Sequence, residues 1–119
     1  MEFSKEELEN AISLLSSTII NCEKMKLKFL EGTSQHSLLK NRIKALYISK
    51  ALLSGDKTTS YTSKDLKEAL PPIVSIINKT TKAQSKYEKG SSQFNRFQHI
   101  IQAMLISKTL IESQINSDS

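Results

Sequence analysis

The sequence predicts an all-α fold, a four-helix bundle made of two tandem helical hairpins with internal pseudo-twofold symmetry. Three observations carry this reading: the second half of the chain repeats the first, each copy opens on a helix-start signal, and apolar residues recur at helical spacing. The chain has 119 residues, enough for a single hydrophobic core, so residues 1–119 are expected to form one domain. Only three Gly and two Pro, with 38% hydrophobic and 24% charged residues, favour helix over a turn-rich β fold.

Aligning Phe3–Leu53 with Tyr61–Ile111, a shift of 58 residues, needs no gap and gives 15 identities in 51 pairs. A repeat of this kind fixes the architecture before any element is assigned. Its strongest block pairs Gly32-Thr33-Ser34-Gln35 with Gly90-Ser91-Ser92-Gln93, and it continues as Ile43–Leu52 against Ile101–Leu110. The repeats are thus 3–53 and 61–111, joined by a polar linker at 54–60.

The first helix of each copy begins at a hydroxyl residue followed three positions later by an acid, Ser4 with Glu7 and Thr62 with Asp65. That is the spacing of a capping box, and Phe3 over Leu8 or Tyr61 over Leu66 would add a hydrophobic staple. Leu8, Ile12, Leu15, Ile19, Cys22 and Phe29 then form one apolar stripe, and Leu66, Leu70, Ile73, Ile77, Ala83 and Tyr87 the other. These leading helices are expected over roughly Lys5 to Leu30 and Ser63 to Glu88, each closed by a left-handed glycine, Gly32 or Gly90. The Thr33-Ser34 and Ser91-Ser92 pairs are placed to cap the second helices. A kink or break is expected near Ala69 to Pro72, because proline in a helix interior removes a hydrogen bond and clashes with the preceding turn. The tail Asn116–Ser119 is expected to fray. With short connections the bundle should run up-down-up-down, both Gly-Ser-type turns at one end.

Composition narrows the function more than it defines it. The net charge of +5 is moderate, and many of the lysines sit singly between apolar residues, as in Lys24-Met25-Lys26-Leu27-Lys28, the pattern of a solvated helix face. No run approaches the roughly 18 apolar residues of a membrane span, and the acidic start Met1–Glu7 lacks the form of a secretory signal. A cytoplasmic location with no membrane role is expected. Cys22, the single cysteine, reads as a small buried hydrophobe. His36 and His99 are not repeated in register and have no metal-ligand partners at suitable spacing, so neither a metal nor a cofactor is expected. Arg96 and His99 lie on neighbouring turns without an acid beside them. The chain lacks a nucleophile elbow and a Gly-rich phosphate loop, which argues against an enzyme. The leading helices are too long for helix-turn-helix, and the seven aromatics sit mostly at core spacing, which argues against nucleic acid.

Two sets of residues stand out as binding candidates. Thr33, Ser34 and Gln35 with Ser91, Ser92 and Gln93 open two helices at one end of the bundle. Paired helix N-termini can hold a phosphate or carboxylate, with charge from Lys28, Lys40, Lys86, Lys89 and Arg96. Lys50 and Lys108 fall amid the apolar faces of the second helices, where each must snorkel outward or meet a partner.

The run from Gly32 to Leu46, repeated in weaker form from Gly90, resembles small uncharacterised two-repeat helical proteins of Gram-positive bacteria and their phages. The resemblance implies an accessory or mobile-element role and transfers no catalytic motif. Asn41 and Arg42 become His99 and Ile100 in the second copy, so a site in the first need not be duplicated. The reading that follows is a non-enzymatic protein-interaction or regulatory module, of inhibitor or immunity type, whose partner is another protein. The alternative is a binder of a small anionic ligand, such as a nucleotide, at the paired helix N-termini.

Overall fold

A computed structural model describes residues 3–56 and 60–118. It contains α1 (Lys5–Lys26), α2 (Ser34–Ser54), α3 (Ser63–Gln84) and α4 (Ser92–Asp118). The four helices form an all-α bundle of two hairpins, α1 with α2 and α3 with α4. Contacts are densest within each hairpin; between hairpins α2 meets α3, α1 meets α4, and α2 meets α4, while α1 and α3 do not touch. Exchanging α1 with α3 and α2 with α4 carries the set of contacting pairs onto itself, as a pseudo-twofold axis requires.

Both starts form as the sequence implies. Ser4 and Glu7 exchange hydrogen bonds of 3.1 Å in a capping box, and Thr62 and Asp65 do the same at 3.0 and 3.2 Å. Phe3, Leu8 and Tyr61 pack partly buried against the core, and Leu66 lies within it.

The second helices bury more than the single stripe expected of them. On α2, Leu39, Ile43, Leu46 and Leu53 form one buried row, while Ala45, Ile48 and Ser49 form another beside it. On α4 the rows are Ile101, Met104 and Ile111, then Ala103, Ile106 and Ser107. At 100° per residue the two rows together cover over half the helix circumference. This is why α2 and α4 have three helical neighbours each and α1 and α3 only two. Small residues let these inner helices sit deep. The buried Ser49 and Ser107 hydroxyls are satisfied by donating to the Ala45 and Ala103 carbonyls at 2.8 Å.

Four expectations require correction. The leading helices end at Lys26 and Gln84, about a turn early, because their last carbonyls are taken up by tight turns: Lys28 N–H donates to the Met25 carbonyl and Lys86 N–H to that of Ala83. Gly32 and Gly90 do have left-handed φ values of 92° and 88°, but in the turns beyond those ends rather than as helix caps. A left-handed glycine instead closes α2, where Gly55 N–H donates to Leu52 and Asp56 N–H to Ala51. Of the kink or break expected at Pro71-Pro72, the break is absent: α3 runs through both prolines as one helix. Buried Leu66 and Ala69 before them, and Ile73 and Ile76 after, hold both segments on one core. Finally, α4 extends through Asn116 and Ser117, where fraying was expected, with Ile115 packed against the core and Ser117 Oγ donating to the Ser113 carbonyl. The linker positions 57–59 and Ser119 lie outside the described residues.

Candidate interaction surface

Two of the four hydroxyls expected to bind a ligand, those of Thr33 and Ser91, are engaged in capping. Thr33 Oγ1 accepts from His36 N–H at 3.2 Å and donates to the Leu30 carbonyl at 2.8 Å; Ser91 Oγ accepts from Phe94 N–H at 3.2 Å. Ser92 Oγ reaches only its neighbour's Gln93 Oε1, at 3.4 Å. Ser34 and Gln35 are exposed. Among the described residues no hydrogen bond or ion pair links the Thr33 turn to the Ser91 turn. Lys50 and Lys108 are half-buried near the ends of the apolar rows, without an ion pair among the described residues, as snorkelling side chains would be. Cys22 is buried, and that burial pushes its thiol up, partly offset by the nearby Arg42 guanidinium. Arg42 Nε and Nη2 are shut from solvent without a hydrogen-bond partner among the described residues.

A different feature dominates the first hairpin's tip. Leu27 is 85% exposed and Leu30 81%, with Met25, Phe29 and Leu38 also exposed. Their backbone is nonetheless well tied. Phe29 N–H donates to Lys26 at 3.2 Å, and the Leu30 carbonyl accepts from both the N–H and the hydroxyl of Thr33. The leucines are therefore presented on an ordered turn, and Lys24, Lys26 and Lys28 alternate with the apolar residues. Tyr47 Oη donates to Glu23 at 2.9 Å, occupying one of the two nearby carboxylates; the other is Glu31.

At the aligned positions the second hairpin carries Ser85 for Leu27, Glu88 for Leu30, Ala83 for Met25 and Arg96 for Leu38. Its turn is stitched to the hairpin. Gln84, 8% exposed, donates through Nε2 to the Phe94 carbonyl at 3.2 Å and to Gln98 Oε1 at 2.8 Å, and the Tyr87 ring lies 5.7 Å from that of Phe97. Position 26, aligned with Gln84, is a lysine and makes no such bond. Sequence reading took Leu27 as part of a solvated face and overlooked Leu30. The signal that would have found them is the repeat itself, which sets an apolar residue opposite a polar one at both positions.

A second feature is a groove of about 600 Å³ between α2 and α3. Leu38, Ala45, Ile48, Ala69, Pro71 and Pro72 supply its apolar wall, and Asn41, Lys44, Asp65, Glu68 and Ser75 its polar groups. Lys44 Nζ bridges to Asp65 Oδ1 at 2.9 Å across one side.

No family model, curated protein or solved structure matches this chain. Among the described residues no helix is long and apolar enough to cross a membrane, and no three His, Cys, Asp or Glu side chains are grouped to hold a metal.

Proposed function

We propose that this chain is a non-enzymatic binding module that docks on another protein through the tip of its first hairpin. Leu27 and Leu30 enter an apolar pocket of the partner, and Lys24, Lys26 and Lys28 meet an acidic rim around it. The observation that carries the reading is the pair of leucines held almost wholly in water on a hydrogen-bonded turn, where the same fold elsewhere uses Ser and Glu. Such exposed apolar anchors ringed by charge have the anatomy of an interface centre.

Site-specific photo-crosslinking in the producing cell tests this. A photoreactive phenylalanine analogue replacing Leu27 is expected to give one protein adduct of fixed mass, lost when Leu30→Asp is added; the same analogue at Ser85 should give none. Lipid adducts at position 27, no adduct there, or equal adducts at both positions would each overturn the reading.

A further inference from the structure

The α2–α3 groove shares Leu38 with the first hairpin's tip but does not rest on the docking of Leu27 and Leu30, and its chemistry is set by Pro71 and Pro72. In an α-helix the carbonyl of residue i accepts from the N–H of residue i+4, and in a 3₁₀ turn from residue i+3. For Glu68 those two positions are Pro72 and Pro71, and neither has an N–H to give. The Glu68 carbonyl therefore lacks both of the donors a helical turn supplies. Glu68, Pro71, Pro72 and Ser75 all line the groove, so the turn that lacks these donors forms part of its wall. The fold does not need the prolines. The first copy builds the same helix with Ser13 and Leu14 at those positions, both of which keep their N–H groups.

Other polar groups in the groove are also uncommitted. The Asn41 amide and the Ser75 hydroxyl make no hydrogen bond among the described residues. The Glu68 carboxylate is 3.9 Å from Lys64, but both side chains are mostly exposed, at 60% and 82%, so the pair engages it weakly. Asp65 is neutralised by Lys44, which leaves the lining one negative charge in excess on a chain whose net charge is +5.

We propose that this groove binds a small primary amine in its ammonium form, with the amine's hydrocarbon body against Leu38, Ile48, Ala69 and the proline rings. An ammonium has three N–H donors and no acceptor. The groove's lining residues carry three acceptors for them: the Glu68 carbonyl, left without a helical donor, the Glu68 carboxylate, held only weakly by Lys64, and Asn41 Oδ1. Its volume falls within the range of small-molecule sites.

The test uses the full chain, labelled with ¹⁵N and titrated with n-hexylammonium, hexan-1-ol and hexanoate while backbone amide signals are followed. Hexylammonium is expected to shift the amides of Asn41, Ala45, Ile48, Ala69 and Ser75 saturably, hexanol more weakly, and hexanoate not at all. Pro72→Ala returns an N–H to the Glu68 carbonyl, and Glu68→Gln removes the charge at an exposed position where folding is not at stake. Each variant should weaken hexylammonium binding about tenfold, the scale of one hydrogen bond to a charged group. Equal responses to hexanol or hexanoate, no saturable shift in the groove, or affinities untouched by both substitutions would overturn the proposal.

Discussion

At the tip of the first hairpin Leu27 and Leu30 stand in water, while at the aligned places of the second hairpin Ser85 and Glu88 do so. The second turn is also bolted down, by Gln84 on Phe94 and Gln98 and by Tyr87 against Phe97, whereas the first is held by backbone bonds and the Thr33 cap. One fold thus carries two turns of equal length with different side-chain investment. In the second, Gln84 and Tyr87 serve the hairpin. In the first, Leu27 and Leu30 face outward, and because the second copy folds with Ser85 and Glu88 at those two positions, the fold does not account for them. An apolar residue exposed where the same architecture accepts a polar one is better evidence of a binding surface than an exposed leucine alone, since single exposed apolar side chains are common.

The sharpest way to break this comparison is to rewrite the first tip as the second. In Leu27→Ser/Leu30→Glu, the partner captured by crosslinking should lose at least a hundredfold in affinity. Burying each leucine contributes about 1.5–3 kcal/mol, and about 1.4 kcal/mol is a factor of ten. Stability should scarcely change, because neither leucine is buried in the free chain. Isothermal titration against that partner, with a thermal melt of the same variant, separates the two effects. A melting temperature that falls with affinity would show that the leucines serve the fold after all.

Next in size is the bolt in the second turn. Gln84→Ala removes the donor to Gln98 Oε1 and a second donor to the Phe94 carbonyl, whose helical bond remains, and should cost about 1 kcal/mol. Lys26→Ala, at the aligned place in the first turn, should fall within about 0.5 kcal/mol of the parent. Urea unfolding of the two variants measures both. Equal losses would mean that the two turns are held alike.

The bundle was legible in the sequence because its determinants are local or repeated. Ser4 with Glu7 and Thr62 with Asp65 are three residues apart, and the 58-residue shift exposed the hairpins directly. What escaped depends on tertiary placement. Ala45 and Ser49 lie off the obvious stripe of α2, and only the contact of α2 with three other helices shows why they are buried. The continuity of α3 through Pro71-Pro72 went against propensity because core packing on both sides outweighs two missing backbone donors. The hydroxyls at Thr33 and Ser91 were legible as caps. Whether they had capacity left for a ligand depended on bonds that the sequence does not display. Leu27 and Leu30 were visible as an asymmetry between the copies, but only their exposure gave that asymmetry a meaning.

The smallest expected effect is electrostatic, and it contrasts the two inter-hairpin seams. Lys44 and Asp65 tie α2 to α3 at 2.9 Å; the aligned residues across the α4–α1 seam are Gln102 and Glu7, which cannot form such a pair. The hydrogen bond from Lys44, helped by the bonds to Thr62, holds the Asp65 carboxyl below its ordinary value of 3.8. A group whose folded value is depressed adds stability that is complete above its unfolded value and is lost as pH falls through the folded one. Lys44→Gln, which copies the second seam, should therefore lower the urea midpoint slightly at about pH 6, and the difference from the parent should close towards about pH 2.5 as Asp65 protonates. Because the pair is exposed, added salt should shrink the difference at the higher pH as well. A gap that persists undiminished in acid would mean that Lys44 acts through the packing of its aliphatic stem along the groove, and that the two seams differ in shape rather than in charge.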